Sequence, residues 1–138
     1  MSRRILSKDN PYYLPPTIQR TVIAYARTYG YWAERSKEAI NPLRSPASNG
    51  IPQGNRRSDP TADAAIKAET YRNHMERVEQ AALMADGDHT DYLLQAVING
   101  YSYYTMEQIY GFAPMSWQNF YNARKRFNYY LARLLDLL

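Results

Sequence analysis

The sequence predicts an all-α protein: a helical bundle with a C-terminal helix–turn–helix, a long central helix and an extended N-terminal arm. Three observations carry this. No segment alternates apolar and polar residues with the period of two that a half-buried strand needs. Ala64, Ala68, Tyr71, Met75, Val78, Ala82 and Ala85 step by four and three, a heptad seam on one helix face. Gly100 and Gly111 stand where helices commonly stop in the left-handed conformation.

Taken in order, residues 1–16 read as a basic arm, because Asn10-Pro11 and Pro15-Pro16 block helix and favour extended backbone. Residues 17–40 form an N-terminal helical segment whose apolar side is Ile18, Val22, Tyr25, Tyr29 and Trp32, with a bend expected near Gly30-Tyr31. Residues 41–58, with three Pro, two Gly and no aromatic, read as a linker. The remaining domain, 59–138, starts with Asp59-Pro60, a cap followed by the residue best suited to the first helical position. Its long helix runs to about Ala85, and the alanine-rich seam can pack inside the chain or against a second copy. Asp86-Gly87-Asp88 ends it. A short helix from Thr90 to Asn99 closes at Gly100, Ser102 caps another to about Tyr110, and a last helix runs to the C-terminus. The inward stripe of that last helix is Trp117, Phe120, Phe127, Leu131, Leu134 and Leu138, with Arg124 its one polar member.

Composition excludes several function classes. The chain has 138 residues and 45% hydrophobic residues, too apolar for wholesale disorder and the size of one domain with an arm. No apolar run suits a membrane span, and the first ten residues lack the apolar stretch of a secretory signal. With no cysteine there is no disulfide, thiolate nucleophile or cysteine-ligated zinc. No Gly-rich phosphate loop follows a strand. His74 and His89 lie outside any metal-binding spacing, and the cluster Asp86, Asp88, His89, Asp91 reads as helix caps rather than a metal site. No serine has an oriented histidine. An enzyme is not expected, nor a metal or cofactor.

Net charge is +4, unevenly spread: +5 over residues 1–44, −5 over 60–115 and +3 over 116–138. Such asymmetry suits an anionic partner at the basic ends, or contact between a basic end and an acidic centre. Of the 14 tyrosines, eight fall between Tyr92 and Tyr130. Each can fill a half-buried position or contact phosphates and bases.

The candidate site is the C-terminal third. Counting Tyr103 as position one of a helix–turn–helix, Met106, Tyr110 and Phe112 take the buried positions four, eight and ten, and Gly111 takes the turn at nine. Position five is usually small, and here it is Glu107. The second helix starts either at Pro114 or after a Ser116 cap. In both registers Gln118 and Asn122 lie one turn apart, opposite Phe120 and Phe127 and flanked by Asn119 and Lys125. Amide side chains can bond adenine bidentately, and Lys can reach phosphate or guanine. The same face can equally be a solvated one. The expected DNA-contacting set is Ser116, Gln118, Asn119, Asn122, Lys125 and Arg126, with Arg3 and Arg4 of the arm following the backbone or minor groove.

The stretch from Gly100 to Gly111, followed by Ser116 to Arg124, resembles the C-terminal helix–turn–helix of RinA-like and ArpU-like late-gene activators of phages of Gram-positive bacteria, regions that are themselves similar to the promoter-reading part of bacterial sigma factors. Ser58-Asp59-Pro60-Thr61 ahead of a long helix matches that layout. Asn10-Pro11-Tyr12-Tyr13 and Tyr29-Gly30-Tyr31-Trp32 resemble clostridial prophage proteins of similar length. The resemblance implies sequence-specific binding of duplex DNA and regulation of phage transcription in the cytoplasm of a bacterial host cell. Host RNA polymerase and a homodimer through the 64–85 helix are further partners of that reading. Two alternatives come from other classes: a small terminase-like DNA-packaging component, which a large ring would favour, and a protein-binding module without DNA affinity.

Overall fold

The computed structural model describes residues 8–40 and 60–138. Arg3, Arg4, the cap at Asp59 and the linker 41–58 lie outside the described residues. Among these residues the chain is all-α, with no strand: α1 (Pro16–Arg27), α2 (Tyr29–Ile40), α3 (Pro60–Ala85), α4 (Thr90–Asn99), α5 (Tyr103–Tyr110) and α6 (Trp117–Leu134). No helix among them is long and apolar enough to cross a membrane.

α1 and α2 form one long bent helix. Pro16 opens it at the first position, where its missing N–H costs nothing. The bend falls at Thr28 rather than at the expected Gly30-Tyr31. The Thr28 hydroxyl donates to Ala24 O at 2.8 Å, and the Thr28 N–H turns to Tyr25 O at 3.1 Å. Side-chain competition for an i−4 carbonyl bends helices. Gly30 sits inside α2 with open space where a Cβ would be.

α3 is the central strut, packed chiefly against α2 and α6. Ala68, Val78, Ala82 and Ala85 of its seam are buried within the chain, Ala81 beside them, and Tyr71 and Met75 pack on the same core. From α6 come Ala123, Phe127, Leu131 and Ala132. A second core holds Ala96, Met106 and Phe120 beneath Tyr92, Tyr101, Tyr103, Met115 and Tyr121.

Three expectations need correction. The arm is not extended along its described length: Tyr13 N–H donates to Asn10 O at 3.0 Å in a turn, and Tyr12 meets Tyr129 edge-on at 5.4 Å. Leu14 is buried in the main core. The last helix stops at Leu134 instead of running to the end. Asp136 takes a positive φ of 57°, and Leu137 N–H bonds back to Ala132 O, so Leu138 ends exposed. Trp117 is 46% exposed, because it lies on the first turn of α6, beyond the reach of α3.

Tyrosine hydroxyls tie the helices together. Tyr25 donates to His74 Nδ1 at 2.6 Å, and Tyr29 donates to Glu79 at 2.5 Å. Burial and the Glu79 carboxylate push the Tyr29 hydroxyl up to about 12. Tyr103 donates to Met115 O at 2.9 Å, whereas the buried Tyr92 hydroxyl has no partner among the described residues. Tyr92→Phe should therefore leave stability unchanged or raise it, while Tyr103→Phe should cost roughly 0.5–1.5 kcal/mol in urea unfolding.

His74 stacks on Trp32 with centroids 4.7 Å apart, and its Nδ1 faces both the Tyr25 hydroxyl at 2.6 Å and the donor Arg77 Nη1 at 3.4 Å, so an unprotonated Nδ1 fits the site. Burial, then Arg77, holds its pKa below the ordinary histidine value. A lowered folded pKa makes this contribution complete above the unfolded value of about 6.5 and lost as pH falls below it. The melting temperature should drop between neutral and mildly acidic pH, and His74→Gln should flatten that drop. An unchanged slope in the variant would assign the acid sensitivity elsewhere.

Candidate functional site

The site is built at the junction of α4, α5 and α6. Gly100 closes α4 with φ 70°, and Gly111 closes α5 with φ 80°, both in the left-handed region that glycine enters without strain. Ser102 caps α5 by accepting from Thr105 N–H at 3.1 Å. Of the two possible starts of α6, the fold takes the later: Ser116 accepts from Asn119 N–H at 3.1 Å, and Trp117 is the first helical residue. The Ser116 hydroxyl thus has a structural duty.

The six residues 111–116 make a longer turn than a tight helix–turn–helix uses. This is why the expected buried positions split. Met106 is fully buried, but Tyr110 and Phe112 are 44% and 65% exposed, a correction to the motif reading. The long turn lets the chain after Gly111 swing outward instead of drawing Phe112 into the seam. Tyr104, Ile109 and Trp117 are also exposed, so the stretch from Tyr104 to Trp117 carries an apolar surface that sequence reasoning missed.

Gln118, Asn119 and Asn122 are exposed together on the first turns of α6, and Lys125 is half-buried one turn further on. Arg126 is committed elsewhere through one nitrogen: its Nε donates to Ala85 O at 2.9 Å, tying α6 to the C-terminal end of α3. Arg124 points inward, as the stripe required. Its Nη1 donates to Tyr101 O at 2.7 Å, and its guanidinium lies 5.7 and 5.8 Å from the Phe120 and Tyr121 ring centres. Burial holds its pKa below the ordinary arginine value; Tyr121 opposes that shift and Arg27 adds to it.

Beside this face runs an open groove of about 440 Å³ between α1 and α6. Gln118, Asn122 and Lys125 line one wall and Gln19, Ile23 and Arg27 the other, with Trp117 and Tyr121 at one end. No acidic side chain lines it. Sequence reasoning missed Arg27 and Gln19, since nothing local says that α1 lies alongside α6. Residues 86–123 contain no Lys or Arg, so the cations near this face come from α1 and the middle of α6.

Asp86 serves as a cap. Its carboxylate accepts from Asp88 and His89 N–H at 3.2 Å, and His89 Nδ1 lies 3.2 Å from it. Among the described residues no group of three or more His, Cys, Asp or Glu side chains could hold a metal ion.

Compared with protein-family models, with curated proteins and with solved structures, the chain finds no match.

Ser116→Ala should cost about 1 kcal/mol, the usual worth of an N-cap. Gln118→Ala and Asn122→Ala should move stability by less than about 0.5 kcal/mol, as exposed positions do. Phe120→Ala, which empties the second core, should cost roughly 3–5 kcal/mol. Chemical denaturation of the four variants orders them, and a large loss at Gln118 or Asn122 would show that face to be packed.

Proposed function

We propose that the chain is a sequence-specific DNA-binding transcriptional regulator of a phage or prophage. In this reading α5, the turn 111–116 and α6 act as a helix–turn–helix, and α6 enters the major groove by its N-terminal turns, as recognition helices do. The observation that carries it is the exposed amide face Gln118, Asn119 and Asn122 directly behind the Ser116 cap. Asn and Gln are the side chains that pair bidentately with adenine. The free N–H groups of the first turn of α6 can meet a backbone phosphate. Lys125 flanks the face for another phosphate, Arg126 adds its terminal nitrogens, and Arg3 and Arg4 follow the backbone or minor groove. The resemblance of residues 100–111 and 116–124 to late-gene activators supports the same reading.

One observation favours a second reading, a protein-binding module without DNA affinity. Tyr104, Ile109, Phe112 and Trp117 are each close to or more than half exposed, and such apolar surface commonly marks a protein contact. RNA polymerase of the host is the partner that would reconcile the two readings in one activator.

Duplex DNA titrated at two salt concentrations separates them. With few cations near the face, log affinity should fall with log salt at a shallow slope, roughly −0.9 per phosphate contact. Gln118→Ala and Asn122→Ala should each cost about 1–3 kcal/mol on the specific site and little on random duplex. Lys125→Ala should weaken both alike. No binding to any duplex at low salt would leave only the second reading.

A further inference from the structure

The groove between α1 and α6 concentrates positive charge that the protein does not neutralise. The Arg27 guanidinium lies against the α4–α5 junction: a Cβ added to Gly100 would overlap it, with Cζ at 2.7 Å. Arg124 is anchored on the adjoining residue, its Nη1 on Tyr101 O at 2.7 Å. Two guanidinium groups are thus held at neighbouring points of one junction, and Lys125 lines the same groove. Among the described residues none of the three is in an ion pair, and no Asp or Glu lines the groove. Arg124 is half-buried and Arg27 exposed beside it, and an anion on charge-assisted hydrogen bonds relieves the repulsion between such neighbouring like charges. Arg27 is free to supply them, having an exposed side chain with no hydrogen bond of its own in the described structure.

The rest of the groove does not suit a bare anion. Its volume of about 440 Å³ falls in the range of small-molecule sites, roughly 300–1,000 Å³, and far exceeds what a phosphate fills. At one end stands Trp117, 46% exposed and packed on Tyr121 with centroids 4.9 Å apart. A half-exposed indole held by a neighbouring ring leaves surface on which a base can stack. Gln118 and Asn122 beside it offer donors and acceptors for the base edge.

We propose that this groove is a nucleotide-binding site, with the phosphate on Arg27 and Lys125, Arg124 reinforcing the positive field, and the base stacked on Trp117. The ligand is a nucleoside phosphate, either free or as one unit of a strand. The site does not require α6 to enter a DNA groove.

The test uses the full chain, with calorimetry and tryptophan fluorescence. The probes are AMP and dAMP, adenosine without phosphate, and inorganic phosphate. The monophosphates should bind and quench Trp117, since the other tryptophan, Trp32, is only 8% exposed. Adenosine and phosphate alone should each bind at least about tenfold more weakly, a loss of 1.4 kcal/mol or more. Arg27→Gln and, separately, Lys125→Gln should weaken the monophosphates by a similar factor with the circular dichroism spectrum unchanged, and Trp117→Phe should abolish the quenching. Absence of binding by both monophosphates would overturn the site, as would affinity unchanged in both charge variants. Duplex DNA that displaces bound AMP assigns the groove to a strand, and failure to displace it assigns the groove to a free nucleotide; both support the site. Duplex binding without nucleotide binding overturns the site and leaves the regulator reading standing, whereas nucleotide binding without duplex binding does the reverse.

Discussion

The close approach of α3 to α6 is the constraint on which the other packing depends. It is possible because both helices present small side chains to the main core, Ala81, Ala82 and Ala85 from α3 and Ala123 and Ala132 from α6, interleaved with Val78, Phe127 and Leu131. Alanine fills little volume, so two helix backbones can sit near each other, and the large residues between them lock the register. The Arg126 bond to Ala85 O fixes the far end of α3 against α6 and satisfies a carbonyl that the helix terminus would otherwise leave unpaired. With α6 held there, α1 and α4 pack on its flanks and α5 on its first half. The orientation of the amide face and the shape of the groove both follow.

Tyrosine does the work that ion pairs do in many small proteins. Among the described residues the ion pairs are Arg35–Glu38 and His89–Asp86, both three residues apart and local. Long-range polar ties come instead from Tyr25 to His74, Tyr29 to Glu79 and Tyr103 to Met115, where a ring fills space and a hydroxyl reaches a partner, and from Arg124 and Arg126 to backbone carbonyls. Tyr12 closes the arm onto Tyr129 and Tyr130 by ring edges and by a side-chain hydrogen bond to Tyr130. Because acids and bases are so rarely paired, the segregation of charge along the chain survives as segregation on the surface. Arg27, Arg124 and Lys125 collect in one groove, while six of the 13 acids lie on α3 and its C-terminal junction.

What the sequence determined by itself is the local part of this structure. Ser102, Gly100 and Gly111 are legible because a cap or a left-handed stop depends on one residue and its near neighbours, whereas Ser116 was one of two starts that the sequence left open for α6. The seam of α3 and the inward Arg124 were legible from helical period. Only the tertiary structure decided where α6 ends its burial, why Trp117, Tyr110 and Phe112 stay outside, that Tyr12 and Leu14 fold back, and that Thr28 rather than Gly30 carries the bend. Each of these turns on which surface another helix covers, or on a hydroxyl choosing one carbonyl over water. The same holds for the groove: Arg27 and Lys125 are 98 positions apart in the sequence, and nothing but the packing of α1 on α6 brings them to one wall-to-wall site. Periodicity says that a helix has an apolar face; it does not say which helix will meet it.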